Sequence, residues 1–312
     1  MSGLLRAEVL RFASRRLFRL AAVLAVTGVL AAALISFVQS SRDPNSGLAE
    51  ARDQVANCER ARERFLAEDP RGSAEEWQCP TVEELREGYD KRFEYAETMP
   101  DVSRGVAAAL FVASVIIGAS FVGAEWGSGS ITTLLTWEPR RGRILAAKVI
   151  ALVVLLALAT AVVLAWLAVA FLPVGAFRGS LDGLTRSTWW TLAGIWARGA
   201  GLASFGAAVA AGIATLTRNT AGVVGVAFAY GVILDPLLGS VRGGRLRPWL
   251  LQHNVPRLLG FLNVPRPEAE VSSGFVTQPL MLSAFRPLVL LAIYAAAILA
   301  IAYATFRSRD VT

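Results

Sequence analysis

Six stretches of nearly uncharged, apolar sequence recur along the chain, at residues 20–39, 105–124, 145–172, 188–216, 221–238 and 286–306. A helix rises ~1.5 Å per residue, so roughly 20 residues match the ~30 Å hydrocarbon core of a bilayer. The residues are 54% hydrophobic and 18% charged, with a mean hydropathy of +0.50. That is more apolar surface than a globular core of 312 residues absorbs. The pattern predicts an all-α polytopic membrane protein with six transmembrane helices forming one transmembrane domain. The fifth span is the shortest, since only Asn219 to Leu234 is free of charge.

Short loops holding arginine and lysine mark the cytoplasmic side. Arg6, Arg11, Arg15, Arg16 and Arg19 precede the first span; Arg140, Arg141 and Arg143, with Lys148, fall between the second and third. Arg218 lies between the fourth and fifth, and Arg307 and Arg309 follow the sixth. All four segments share one side of a six-span chain, which places both termini in the cytoplasm. The loop after span five opposes this with Arg242, Arg245, Arg247, Arg257 and Arg266, but at about 47 residues it constrains topology less. The net charge of +7 does not point to nucleic acid, because the basic residues gather at the ends of apolar runs. Only Lys91 and Lys148 are lysines, an arginine bias that fits a bacterium with a GC-rich genome. The first apolar stretch is too long for a signal-peptide core and reads as a retained span. Ahead of it, Leu5, Val9 and Phe12 recur at helical spacing, as in an amphipathic helix lying in the headgroup layer, or simply a basic flank.

Residues 40–104 hold 16 of the 24 acidic residues. They read as an extracytoplasmic hairpin of two helices, one from near Gly47 to Glu68 and one opening at the Thr81-Val82-Glu83-Glu84 capping box. Cys58 and Cys79 both fall in it, which suits a disulfide outside the cell, with two unpaired thiols as the alternative. The outer loop 239–285 carries Pro248-Trp249-Leu250-Leu251 and Pro256-Arg257-Leu258-Leu259, short apolar patches that suggest half-helices dipping into the outer leaflet. Trp189, Trp190, Trp196 and Trp249 suit that interface. Arg198 and Asp235 are the charges set deepest within spans. They either pair at the outer end of a pathway, or Arg198 marks the true start of span four and snorkels.

The loop after span two, Glu125 to Arg143, is expected to form a short amphipathic helix and turn back at Pro139, with Leu134 and Leu135 as its apolar face. Here the chain resembles the permease family of type-2 ATP-binding-cassette (ABC) exporters. That family's pattern has a Glu, a Gly-Thr pair four residues on, two apolar residues, then Pro, Arg and a later Lys. Glu125, Gly129, Leu134, Leu135, Pro139, Arg141 and Lys148 match it, and Ser130 stands where Thr is usual. The resemblance implies a permease subunit that forms a substrate pathway as a homodimer or heterodimer in the plasma membrane. It implies ATPase coupling through Glu125, Gly129, Ser130, Leu134, Leu135, Pro139, Arg140 and Arg141. ATP and magnesium would belong to separate cytoplasmic ABC ATPase subunits, and no cofactor is expected on this chain. No G-x-x-x-x-G-K-[ST] or H-E-x-x-H occurs, and one histidine, His253, with two cysteines leaves no metal cluster to build. The competing reading is a membrane sensor or assembly protein whose hairpin binds a ligand.

Overall fold

The computed structural model of the chain describes residues 2–43, 45–68, 78–89, 91–137, 140–241, 245–260 and 280–308. Among the described residues, six helical segments are long and apolar enough to cross a membrane: Arg16–Gln39 (α2), Tyr95–Gly127 (α5), Arg141–Arg178 (α7), Arg186–Thr217 (α8), Thr220–Ser240 and Phe285–Ser308. The fifth is composite, with α9 (Thr220–Phe228), a π-helical stretch (Ala229–Leu234) and α10 (Asp235–Ser240); the sixth lies within α12 (Leu280–Ser308). All six expected spans are present. At 33 and 38 residues, α5 and α7 outrun the hydrocarbon. Span four starts at Arg186, so Arg198 lies well inside the helix rather than at its outer end.

The helices divide into two compact units. The first comprises Met1–Val26, Pro100–Trp166 and Trp189–Thr312; the second comprises Thr27–Met99 and Leu167–Thr188.

In the first unit an N-terminal helix, α1 (Ser2–Ser14), precedes α2. Its Phe12 is buried in a core with Phe121 of α5, Leu152 and Leu156 of α7, and Ala207, Ala210, Ala211 and Ala214 of α8. Small residues let these helices approach closely. At Gly206, for example, a Cβ would crowd Ser114 Oγ and the Phe111 ring. Span four is the most buried of the six, at 67% of its apolar stretch against 11% in spans one and five. The outer segment is one helix where two half-helices were expected: a 3-10 turn (Arg247–Trp249) leads into α11 (Leu251–Leu259), which contains Pro256 and ends on the left-handed Gly260. The rest of that loop, 261–279, lies outside the described residues.

In the second unit α3 (Leu48–Glu68) and α4 (Val82–Tyr89) form the acidic hairpin, joined by a Cys58–Cys79 disulfide. The capping box is formed: Thr81 N donates to Glu84 Oε2 (2.8 Å) and Glu84 N to Thr81 Oγ1 (3.3 Å). Lys91 pairs with Glu50, closing the segment back on α3. Phe93–Glu94 (β1) pairs in parallel with Gly179–Ser180 (β2). A Cβ at Gly179 would overlap the Phe93 carbonyl, so the pairing needs glycine there. Phe93 stacks near Phe171, and Tyr95 Oη donates to the Ala168 carbonyl at 2.8 Å, so the hairpin is built onto the end of α7.

Candidate functional site

Glu125 lies near the end of α5, two residues before the helix stops at Gly127. Gly129, at a φ of 67°, adopts the left-handed conformation that turns the chain into a short helix, α6 (Ser130–Trp137). A side chain at this position would be strained by the backbone alone, since nothing crowds it. The hydroxyls of Ser128 and Ser130 both donate to the Glu125 carbonyl at 3.4 Å and satisfy the end of α5. Ser130 therefore serves the turn through the hydroxyl it shares with threonine.

On α6 the inward anchor is Ile131, buried with Leu145 of α7 and Phe306 of α12. The sequence reading emphasised Leu134 and Leu135 and passed over Ile131. Leu134 is half-buried and lines a cavity; the Leu135 side chain and Pro139 lie outside the described set. Trp126 stacks edge-on against Phe306 at 5.9 Å, with the Arg218 guanidinium 4.9 Å from its ring centroid. Arg218 itself sits at a φ of 53° in the tight link between spans four and five. The turn, that link and the end of α12 therefore meet at one tryptophan.

The Glu125 side chain belongs to a chain of five alternating charges. Arg11 Nη1 meets Glu8 Oε1 at 3.0 Å, and Glu8 Oε2 meets Lys148 Nζ at 2.9 Å. The same ammonium lies 2.6 Å from Glu125 Oε2, whose Oε1 is 3.0 Å from Arg15 Nη2. Glu8, Glu125 and Lys148 are buried. Lysine suits the centre, because a compact ammonium with three donors can serve two carboxylates at once. The Phe121 ring lies under both cations, 4.6 Å from the Arg15 guanidinium carbon and 5.4 Å from Lys148 Nζ. Arg15 Nη1 also donates to the Ser120 carbonyl at 3.1 Å.

Arg15, read from the sequence as a topology signal, thus ties the end of α1 to span two, while Arg11, read the same way, pairs with Glu8 within α1, and Glu8 ties that helix to span three. Glu8 was missed. It is the only acidic residue in the first 42 positions, on the α1 face that carries Phe12. A lone acid among arginines there was the available signal. A cavity of about 800 Å³ opens beside this network, lined by Arg11, Arg15, Glu125, Ser130 and Leu134 among others.

Arg140 and Arg141 line a second cavity instead, with Arg143, Tyr303 and Arg307. Arg141 Nη1 donates to the Phe306 carbonyl at 3.4 Å.

The two deep charges take separate partners, both on α11. Asp235 Oδ2 accepts from the Gln252 backbone N–H (3.1 Å) at the start of that helix. Arg198 Nη1 and Arg104 Nε donate to the Leu258 and Leu259 carbonyls (3.5 and 3.2 Å) at its end. Each charge thus complements one end of the helix dipole. His253 of α11 accepts on Nε2 from Arg257 Nη1 at 3.1 Å.

A family model described as "ABC-2 family transporter protein" matches residues 4–311 of this chain. No curated protein matches it.

Proposed function

The chain belongs to the ABC-2 transporter family and is therefore a permease subunit of an ABC transporter, partnered with ABC ATPase subunits; on that footing we propose that it works in an exporter and takes the ATPase stroke through residues 125–143. The observation that carries this reading is the buried charge chain. Glu125 opens the proposed coupling segment and is fixed through Lys148 and Arg15 to the start of span three and to α1. Force applied to α6 would then reach α1 and spans two and three together, because buried ion pairs of this kind tolerate little separation. Leu134 and Ser130 line the adjoining cavity, where a side chain of the ATPase could seat. A second permease subunit would complete the pathway, covering apolar side chains such as Val224, Phe228 and Ile233 that span five leaves exposed.

The test is to purify the chain with its co-encoded ATPase and compare wild type with Glu125→Gln and Arg141→Gln. Coupling through this segment predicts that the complexes assemble but transport per ATP hydrolysed falls at least about tenfold, the equivalent of ~1.4 kcal/mol. Unchanged turnover and transport in both variants would remove the coupling role.

A further inference from the structure

We propose that the cavity between the start of α7 and the end of α12 binds the phosphate headgroup of an anionic phospholipid from the leaflet on the side of the termini. The cavity measures about 550 Å³ and is lined by Arg140, Arg141, Arg143, Arg307 and Tyr303, with no carboxylate among the described lining residues. It differs in this from the cavity beside Glu125, where acidic and basic side chains alternate. The arginines at residues 140–143 also surround the first turn of α7, which carries the positive end of the helix dipole. Four guanidinium groups and a helix N-terminus in one cavity repel one another, and an anion relieves that repulsion. Arginine's planar fork matches phosphate oxygens bidentately.

Depth selects the source of the phosphate. Arg141 opens the third span and Arg307 stands one residue before the end of the sixth, so the cavity lies at headgroup level. The helix faces leading from it into the membrane are apolar and exposed: Ile150, Val154 and Leu158 continue the Arg143 face of α7, and Ile293 the Arg307 face of α12. A lipid has acyl chains to lay along those faces; a free phosphate does not. Arg141 is held in place by the Phe306 carbonyl, and the Tyr303 ring closes over Gly142.

The test uses the purified full chain in detergent, titrated by native mass spectrometry with phosphatidylglycerol and with phosphatidylcholine. Wild type should prefer phosphatidylglycerol by more than tenfold. Arg143→Gln or Arg307→Gln should each lower that preference about fivefold, the equivalent of ~1 kcal/mol per basic residue, and the pair should abolish it. Both side chains are exposed, so the variants are expected to fold. Should the pair not fold, the single variants and the wild-type comparison decide. Equal binding of the two lipids overturns the proposal, as does a preference that the substitutions leave intact. Displacement of the lipid by millimolar glycerol phosphate identifies a free-phosphate site and overturns the lipid assignment. Loss of ATPase association in the double variant without any lipid preference in wild type assigns the cavity to the partner protein and overturns it too.

Discussion

Lys148 has 4% of its side chain exposed and contacts two carboxylates, Glu8 and Glu125. Removing a buried cation from such a cluster leaves like charges facing each other in a low dielectric, which costs about 3–5 kcal/mol. Lys148→Ala should therefore unfold in detergent with a stability loss of that order. Glu8→Gln added to it should recover part of the loss, because one of the two stranded charges disappears; a double-mutant cycle reads the coupling. A loss under ~1 kcal/mol would place the cluster with ordinary surface pairs. The sequence marked Lys148 and Glu125 through a family pattern. It did not mark Glu8, whose only local signal was to be a lone acid on the Leu5-Val9-Phe12 face, because its partner Lys148 lies 140 residues away. His253 offers a second reading at this scale. Burial first, then the charges of Arg257, Arg286 and Arg247, hold its pKa below the ordinary 6.5. The folded state thus binds the proton less tightly than the unfolded one. The stability linked to His253 is present above pH 6.5 and is lost as the pH falls from there through the folded-state value. As the chain's only histidine, it gives a single resolvable NMR titration. The midpoint should fall below 6.5, and Arg257→Gln should raise it only part of the way, because burial is the larger cause.

At the scale of elements, the break between α5 and α6 depends on one backbone conformation. Gly129→Ala should cost about 1–2 kcal/mol in thermal unfolding, and Gly129→Asn less, since asparagine tolerates the left-handed region. Equal tolerance of both would mean that the turn can re-form elsewhere, and α6 would not be set at a fixed angle. The spans were legible because hydropathy is a local signal; the turn was not, since the sequence pointed to Pro139 for the reversal and marked Gly129 only through the family pattern. Nor was the broken outer segment. Its patches, Pro248-Trp249-Leu250-Leu251 and Pro256-Arg257-Leu258-Leu259, looked like two half-helices, but α11 runs through Pro256. What holds it is tertiary: Asp235 at one end and Arg104 and Arg198 at the other, more than 50 residues away for the arginines. The π-helical stretch in span five contributes as well. Its wider winding frees the Gly231 carbonyl to accept from Gln252 Nε2 at 2.6 Å, while Tyr230 Oη accepts from the Leu251 N–H at 3.3 Å. Period and propensity cannot announce a π turn, so the sequence did not show that Asp235 and Arg198 each meet an end of α11.

For the whole molecule, the proposals for ATPase coupling and for lipid binding both need residues 125–143 and the C-terminal end of α12 in the cytoplasm. Six spans put the two termini on one side, and the density of arginine in the short loops is the ground on which we propose that this side is the cytoplasm. Two of the five opposing arginines have local work: Arg247 Nε donates to the Gly239 carbonyl at 3.3 Å, and Arg257 meets His253. The two cysteines make the orientation measurable, because both lie in the hairpin and form its disulfide. In intact cells a membrane-impermeant maleimide should leave the protein unlabelled, then label it after treatment with an impermeant reductant. A fluorescent protein fused after residue 312 should mature and fluoresce. Labelling that requires permeabilised cells would invert the topology, and with it the side on which an ATPase could reach Glu125.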